Sequence, residues 1–278
     1  MAEIDHVAIN VHYRVDRAEM ALRDLGFHVT ERGHHSLGSI NHLMVFDNDY
    51  LELVGLPAET MQKTPRRPEI AETCAGINGL VFKTSSTNDV FARLQELGMA
   101  GDPPKSFSRP VELANGTIDA LFRTVKVRSD VFPGYRVYFC EHHTPEVVWR
   151  SEWQDHRNGA TSIAEFVIVS EDNVRVAQDF ANILSIDAVN SGGVSAIKLE
   201  GAFLSFLSPA AYQKRYGSLA SSTDERPFMF GAVVIRTTDL AAARQFASDA
   251  KLRSAGNGDR LVIYEPSLDS VIEFVSLL

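Results

Sequence analysis

"HVAINVHYRVDRAEMALRDLGFHV", residues 6–29, changes its hydrophobic period partway along. Val7, Ile9 and Val11 alternate with other residues, the period of a half-buried strand. After a polar turn, Ala18, Met20, Ala21 and Leu25 mark an amphipathic helix that Gly26 ends. "GSINHLMVFDNDYLELVG", residues 38–55, then reads as two strands joined by a turn at Asp47-Asn48-Asp49. The unit is a strand, a helix and about three strands.

The same order returns three times. "GLVFKTSSTNDVFARLQELGM" (79–99) opens a second copy and "YRVYFCEHH" (135–143) closes it. "EFVIVSEDNVRVAQDFANIL" (165–184) and "AFLSFLSP" (202–209) bound a third. "GAVVIRTTDLAAARQFASDA" (231–250) and "VIEFVSLL" (271–278) bound a fourth. Such a unit leaves one sheet face bare, so two must pair to bury it. Four units therefore predict an α+β fold with two paired domains. The polar stretch "SEWQDHRNGAT" (151–161) predicts the break, giving domains at 1–158 and 159–278.

Bulk properties limit the partners. In 278 residues the net charge is -9, which argues against a broad nucleic-acid surface. No apolar run approaches the roughly 20 residues that cross a bilayer. The start of the sequence shows no basic-then-apolar leader, and the two cysteines, Cys74 and Cys140, lie far apart. Both features predict a reducing, cytoplasmic setting. No phosphate-binding glycine loop, nucleophile elbow or H-E-x-x-H motif occurs.

The paired strand-helix-three-strand units resemble the vicinal oxygen chelate superfamily, which includes glyoxalase I and extradiol dioxygenases. The resemblance is closest to its glyoxalase-like-domain branch. It rests on "DHVAINV" (5–11), "HHSLGSINHLMVF" (34–46), "YLELVG" (50–55), "YFCEHHTPEVVW" (138–149) and "HRNGA" (156–160). It covers residues 1 to about 160 and is architectural beyond them. In that superfamily the first and last strands of a module supply ligands, often His and Glu, to a divalent metal in a cupped sheet. The metal then acts as a Lewis acid on adjacent substrate oxygens.

Mapped onto this chain, the resemblance implies His6 and Glu52 from the first copy and Glu141 from the second as metal ligands. Glu52 and Glu141 are also the candidate proton-handling carboxylates. His142 directly follows Glu141, so a slip of one residue exchanges them. The second copy opens with Gly79, which has no side chain to offer. The third and fourth offer Glu165 with Ser205 and Gly231 with Glu273, and no histidine. Imidazole and carboxylate donors suit Zn, Mn, Fe(II), Co or Ni.

Beyond the implied metal ligands, Glu52 lies between apolar neighbours, where an unpartnered carboxylate is costly, so either it faces a cavity or a cation or its face of the strand is wet. His35 and Asn41 flank a turn at Gly38-Ser39 and are candidates to bind a substrate carbonyl or carboxylate, as are Arg136 and His142. Arg109 could belong to a lid. The expected function is metal-assisted lyase, isomerase or dioxygenase chemistry on a small oxygenated molecule. The alternative is a metal-free small-molecule binding protein using the same cup. The resemblance also implies a homodimer.

Overall fold

The computed structural model describes residues 2–113, 116–191, 193–223 and 226–277. Its first half runs β1 (Ile4–Asn10), α1 (Val15–Asp24), β2 (Gly33–His34), β3 (Ile40–Val45), β4 (Tyr50–Gly55), α2 (Pro68–Ala71), β5 (Gly76–Lys83), α3 (Thr87–Glu96), β6 (Lys105–Leu113), β7 (Gly116–Lys126) and β8 (Arg136–His142). The second half runs β9 (Ala160–Ser170), α4 (Asn173–Leu184), β10 (Val189–Ser191), β11 (Val194–Lys198), β12 (Phe203–Leu207), α5 (Pro209–Tyr216), β13 (Phe228–Thr237), α6 (Leu240–Asp249), β14 (Arg253–Asn257), β15 (Arg260–Glu265) and β16 (Ser270–Ser276). All four expected units are present, and one extra helix, α2 or α5, lies between the units of each half. The fold is α+β.

Each half forms one mixed eight-stranded sheet, in the orders β2-β3-β4-β1-β5-β8-β7-β6 and β10-β11-β12-β9-β13-β16-β15-β14. In each unit the last strand pairs parallel to the first, because the helix carries the chain back across the sheet. The first strands of two units pair antiparallel, β1 with β5 and β9 with β13, which joins the units in pairs. The helices begin where the polar turns allow. Ser86, Asp172, Ser208 and Asp239 each accept a backbone N–H at the start of α3, α4, α5 and α6.

One face of each sheet is dry. Val15, Ala18 and Leu22 of α1 are buried, as are Val90 and Leu94 of α3. A single apolar core runs through both halves, from Ile4 and Phe82 to Phe180 and Phe274. Across the junction Phe27 stacks on Phe274 and Phe132 on Phe180. The segment between the sheets, expected as a polar linker, is packed instead. His156 donates to the Val45 carbonyl and accepts from the His28 N–H, while Asn158 donates to the Leu25 carbonyl. These two are buried and act as internal hydrogen-bonding groups, while Ser151, Glu152, Asp155 and Arg157 of the same stretch are exposed. No helix among the described residues is long and apolar enough to cross a membrane.

Candidate active site

The other face of the first sheet holds a cavity of about 390 Å³. His6, His35, Asn41, Glu52, Arg109 and Tyr138 are among its walls. Strand registers explain who faces whom. β1 and β4 pair with Ala8 opposite Glu52. β5 and β8 pair with Val81 opposite Tyr138. His6 opposes Val81 and Gly79 opposes Ala8, so His6 and Gly79 are equivalent in the two units. By the same step Ala8 is equivalent to Val81, and Tyr138 to Glu52. The four inward positions of this cup are therefore His6, Glu52, Gly79 and Tyr138.

His6 is fixed on several sides. A bulge inserts Asp5 into β1, between Ile4 opposite Phe82 and His6 opposite Val81. Asp5 can then reach His6, with Oδ1 2.5 Å from Nδ1. A carboxylate only accepts, so Nδ1 carries the proton and Nε2 is left as an acceptor. Tyr138 donates its hydroxyl to that Nε2 at 3.1 Å. The imidazole also stacks on Tyr50, with centroids 4.4 Å apart. Burial alone would raise the Asp5 pKa, but contacts with His142 and His6 overcome this and hold it well below the usual carboxylate range.

Glu52 lies between two imidazoles, 3.7 Å from His6 Nε2 and 3.8 Å from His35 Nε2. Asn41 donates to it at 2.8 Å. Burial pushes its pKa up, but His6, His35, the Asn41 amide and Arg136 outweigh that, so the group stays a carboxylate. His35 is driven down to about 4, first by burial and then by Arg109 and Arg67, despite the opposing pull of Glu52. It is neutral at pH 7. Tyr138 is pushed far up by burial, so it remains a phenol and a donor.

Cations surround this one carboxylate. Arg136 lines the cavity and donates to Asn78 at 2.8 Å. Arg67, Lys105 and Lys126 also contribute to the wall. Arg109 is the most deeply placed, 5% exposed, and among the described residues its side chain has neither a hydrogen bond nor an ion pair. Gly33 makes room for it: a Cβ there would stand 2.8 Å from Arg109 Nη1. A buried guanidinium without a partner is costly, and here it faces a cavity.

Of the expected site residues, the cup gathers His6, Glu52, His35, Asn41 and Arg136. Two others lie elsewhere. Glu141 sits on the opposite side of β8 and accepts from the Thr87 N–H and hydroxyl, both at 2.9 Å, at the start of α3. It supports a helix end and does not join His6 and Glu52. His142 borders a neighbouring surface cavity and lies beside Asp5. Arg109 wraps the cup wall, which places it deeper than a lid residue.

The expected metal can be tested against these donors. His6 and Glu52 are spaced as two ligands of one ion could be, but a catalytic centre uses three protein ligands. Gly79 cannot be replaced by a ligand without movement, since its Cβ would stand 2.8 Å from the Ala8 Cβ. Tyr138, a neutral phenol, takes the other position. His35 adds an imidazole 3.8 Å from Glu52, but the ligand atoms of His6, Glu52 and His35 do not all lie within 4.8 Å of one another, so as placed they do not complete a three-ligand centre. Among the described residues, the His, Cys, Asp or Glu side chains that do converge in a group of three are Asp5, Cys140 and His142, at the edge of the cup, whose wall Cys140 shares with the neighbouring cavity.

The second sheet shows what happened to its own cup. Glu165 pairs with Phe203 and Val167 with Ser205, so Glu165 and Ser205 match His6 and Glu52. A bulge at Gly231 places Ala232, rather than Gly231, at the position of Gly79. Glu273 matches Tyr138. Arg215 of α5 enters this space, binding Glu165 with two hydrogen bonds of 2.7 and 2.8 Å and Glu273 at 3.0 Å. Arg260 adds a contact to Glu273. A guanidinium clamped by two carboxylates fills the second cup.

Comparison with known proteins agrees with this architecture. Residues 4–184 match the sequence profile of the family described as Glyoxalase-like domain. A hypothetical protein from Staphylococcus aureus superposes with a TM-score of 0.67 at 12% identity, covering 100% of both chains. A mutant of 4-hydroxymandelate synthase from Streptomyces coelicolor superposes with a TM-score of 0.58 at 12% identity, covering 99% of this chain and 92% of that one. A xylose isomerase-like TIM barrel/4-hydroxyphenylpyruvate dioxygenase fusion protein gives 0.57 at 10% identity, covering 98% of this chain and 49% of that one. These likenesses share the fold. No curated protein matches the sequence. The profile match spans well over half of the chain, and on that basis the chain belongs to the glyoxalase-like domain family.

Proposed function

We propose that the first cup is the active site of a lyase or isomerase acting on a small oxygenated molecule that carries a carboxylate or similar anion. The observation that carries this reading is Arg109, buried, with its side chain unpaired among the described residues, and facing a cavity in whose described wall Glu52 is the one carboxylate. An anion would give the guanidinium the bidentate partner it lacks. Glu52, held as a carboxylate by Asn41 and two imidazoles, is placed to take a proton from carbon or oxygen. Arg136, which spends one N–H on Asn78, has others to offer the oxygen on which charge then develops. Tyr50 and Phe107 give the cavity its apolar side. No step requires a metal in the cup.

The test is a panel of small carboxylates and hydroxy or keto acids offered to the full chain, with binding read by calorimetry and turnover by NMR. Replacing Arg109 with Met should weaken binding of the selected acid about 10- to 100-fold, the value of a charge-assisted hydrogen bond. Glu52→Gln should leave affinity within a few-fold and reduce turnover about 100- to 10,000-fold. Acids that bind the Arg109→Met protein as tightly as the wild type would refute the anion assignment. A metal-free binding protein is the second reading, favoured by Gly79 and Tyr138 at two of the four inward positions. It is the outcome if the wild type binds an acid and returns it unchanged.

A further inference from the structure

At the edge of the cup, Asp5 presents its second oxygen to β8. The bulge that turns Asp5 toward His6 leaves Oδ2 2.8 Å from His142 Nε2. The approach is short but does not have hydrogen-bond geometry. Asp5 Oδ2 and both His142 ring nitrogens are buried without a hydrogen-bond partner. Cys140 lies two residues before His142, on the same side of the strand. One ligand atom from each of these three residues lies within 4.8 Å of the others. Asp5 is fully buried, Cys140 is 3% exposed, and the His142 side chain is 8% exposed.

Three buried orphan atoms in one cluster need an explanation. An Asp5–His142 ion pair alone would leave His142 Nδ1 and the thiol unused. We propose that Asp5, Cys140 and His142 bind one divalent ion of borderline softness, zinc or cobalt, through a carboxylate oxygen, the cysteine sulfur and an imidazole nitrogen. On binding, the thiol gives its proton to solvent and the sulfur-metal bond forms. Two negative ligands then balance the dication, which leaves a neutral buried cluster. Mixed sulfur, nitrogen and oxygen donors disfavour magnesium and calcium, which prefer oxygen.

The surroundings suit such a centre. Trp149 tilts over the His142 ring at 4.8 Å and Phe122 meets its edge at 5.1 Å, giving an apolar shell. A fourth position opens on a surface cavity of about 410 Å³ bordered by Asp47, Asn48 and Thr84, which provides an entry path. Lys83 also borders that cavity, but its ammonium is engaged by Glu3 at 3.2 Å and lies over the Trp149 ring. Asp5 would then connect the ion to the cup, since its other oxygen holds His6 Nδ1. The site is independent of the anion reading above.

The test uses untagged full-length protein stripped with a chelator and titrated with Co(II). One equivalent should bind, with a sulfur-to-cobalt charge-transfer band in the near ultraviolet and the visible bands of a four-coordinate ion. X-ray absorption on the zinc-loaded wild type should show one sulfur neighbour, a readout that needs no variant to fold. Cys140→Ser should abolish the charge-transfer band, His142→Ala should cost at least tenfold in affinity, and Glu52→Gln should change neither. The proposal is overturned by no stoichiometric uptake, by a sulfur-free coordination shell, or by binding that survives Cys140→Ser and is lost in Glu52→Gln.

Discussion

Asn41 shows how much a single amide can be asked to do. It is the only direct hydrogen-bond donor to Glu52 among the described residues, at 2.8 Å, and it is 1% exposed. Replacing it with Leu keeps the volume and leaves a buried carboxylate with only imidazoles beside it. The cost of an unsatisfied buried group is about 1–3 kcal/mol, more for a charged one. Asn41→Leu should therefore lower the melting temperature by several degrees, measured by calorimetry. An unchanged melting temperature would mean that water replaces the amide and that the cup is wetter than its walls imply. At this scale the sequence was partly legible. His6 and Glu52 could be found because the repeat marked their positions. Glu141 could not join them, for a reason visible in advance: it is an odd number of residues from Arg136, and alternate residues of a strand face opposite ways. Keeping Arg136 in the cup selects Tyr138 and Cys140 and excludes Glu141.

Whole elements decided which half keeps an open site. In the first half α2 leaves the cup open, with Arg67 at its wall. In the second, α5 delivers Arg215 into the equivalent space between Glu165 and Glu273. The sequence placed Glu165 and Glu273 at the right positions, but nothing local in "AAYQKRYG" announced a guanidinium that would bind both. Long-range side-chain partners are not written in periodicity. The clamp carries a stability prediction. Arg215→Met would leave two acidic side chains, Glu273 nearly fully buried, without their main counter-charge. Breaking a buried ion pair costs about 3–5 kcal/mol. Urea unfolding should show a loss of that order, and Glu273→Gln in the same background should recover part of it. A loss below about 1 kcal/mol would mark the clamp as a surface-like pair. Gly79 makes the converse point for the first half. A Cβ there meets Ala8 at 2.8 Å, so Gly79→Ala should cost about 1–3 kcal/mol through overpacking across β1 and β5. If Gly79→Ala is neutral in the same urea assay, the two strands can spread, and the absence of a ligand at this position is not enforced by packing.

The two sheets meet through polar groups as well as apolar ones, and those groups give the whole molecule a pH profile. Asp49, at the turn entering β4, accepts the Ile163 N–H of β9 through both oxygens, at 3.0 and 3.2 Å. Burial raises its pKa to about 7, against the pull of that N–H, Lys83 and Arg236, with Asp47 adding to the rise. The folded state thus holds a proton that the unfolded chain releases near pH 3.8. A raised carboxylate pKa contributes stability that is present at low pH and lost as pH climbs from about 4 to about 7. His156 acts in the opposite sense. Burial lowers it to about 4, so stability present above pH 6.5 is lost as pH falls toward 4. The sheet junction is accordingly weakened at both ends of this range. Asp49→Asn separates the two effects. The amide oxygen can still accept the Ile163 N–H, but no charge appears at neutral pH. The variant should match the wild type near pH 4 and exceed it by about 2 kcal/mol at pH 8, allowing for relaxation around the charge. Urea melts at half-unit steps between pH 4 and 8 would trace the difference. A constant offset across the range would mean that Asp49 does not change protonation on unfolding there, and would overturn the raised pKa.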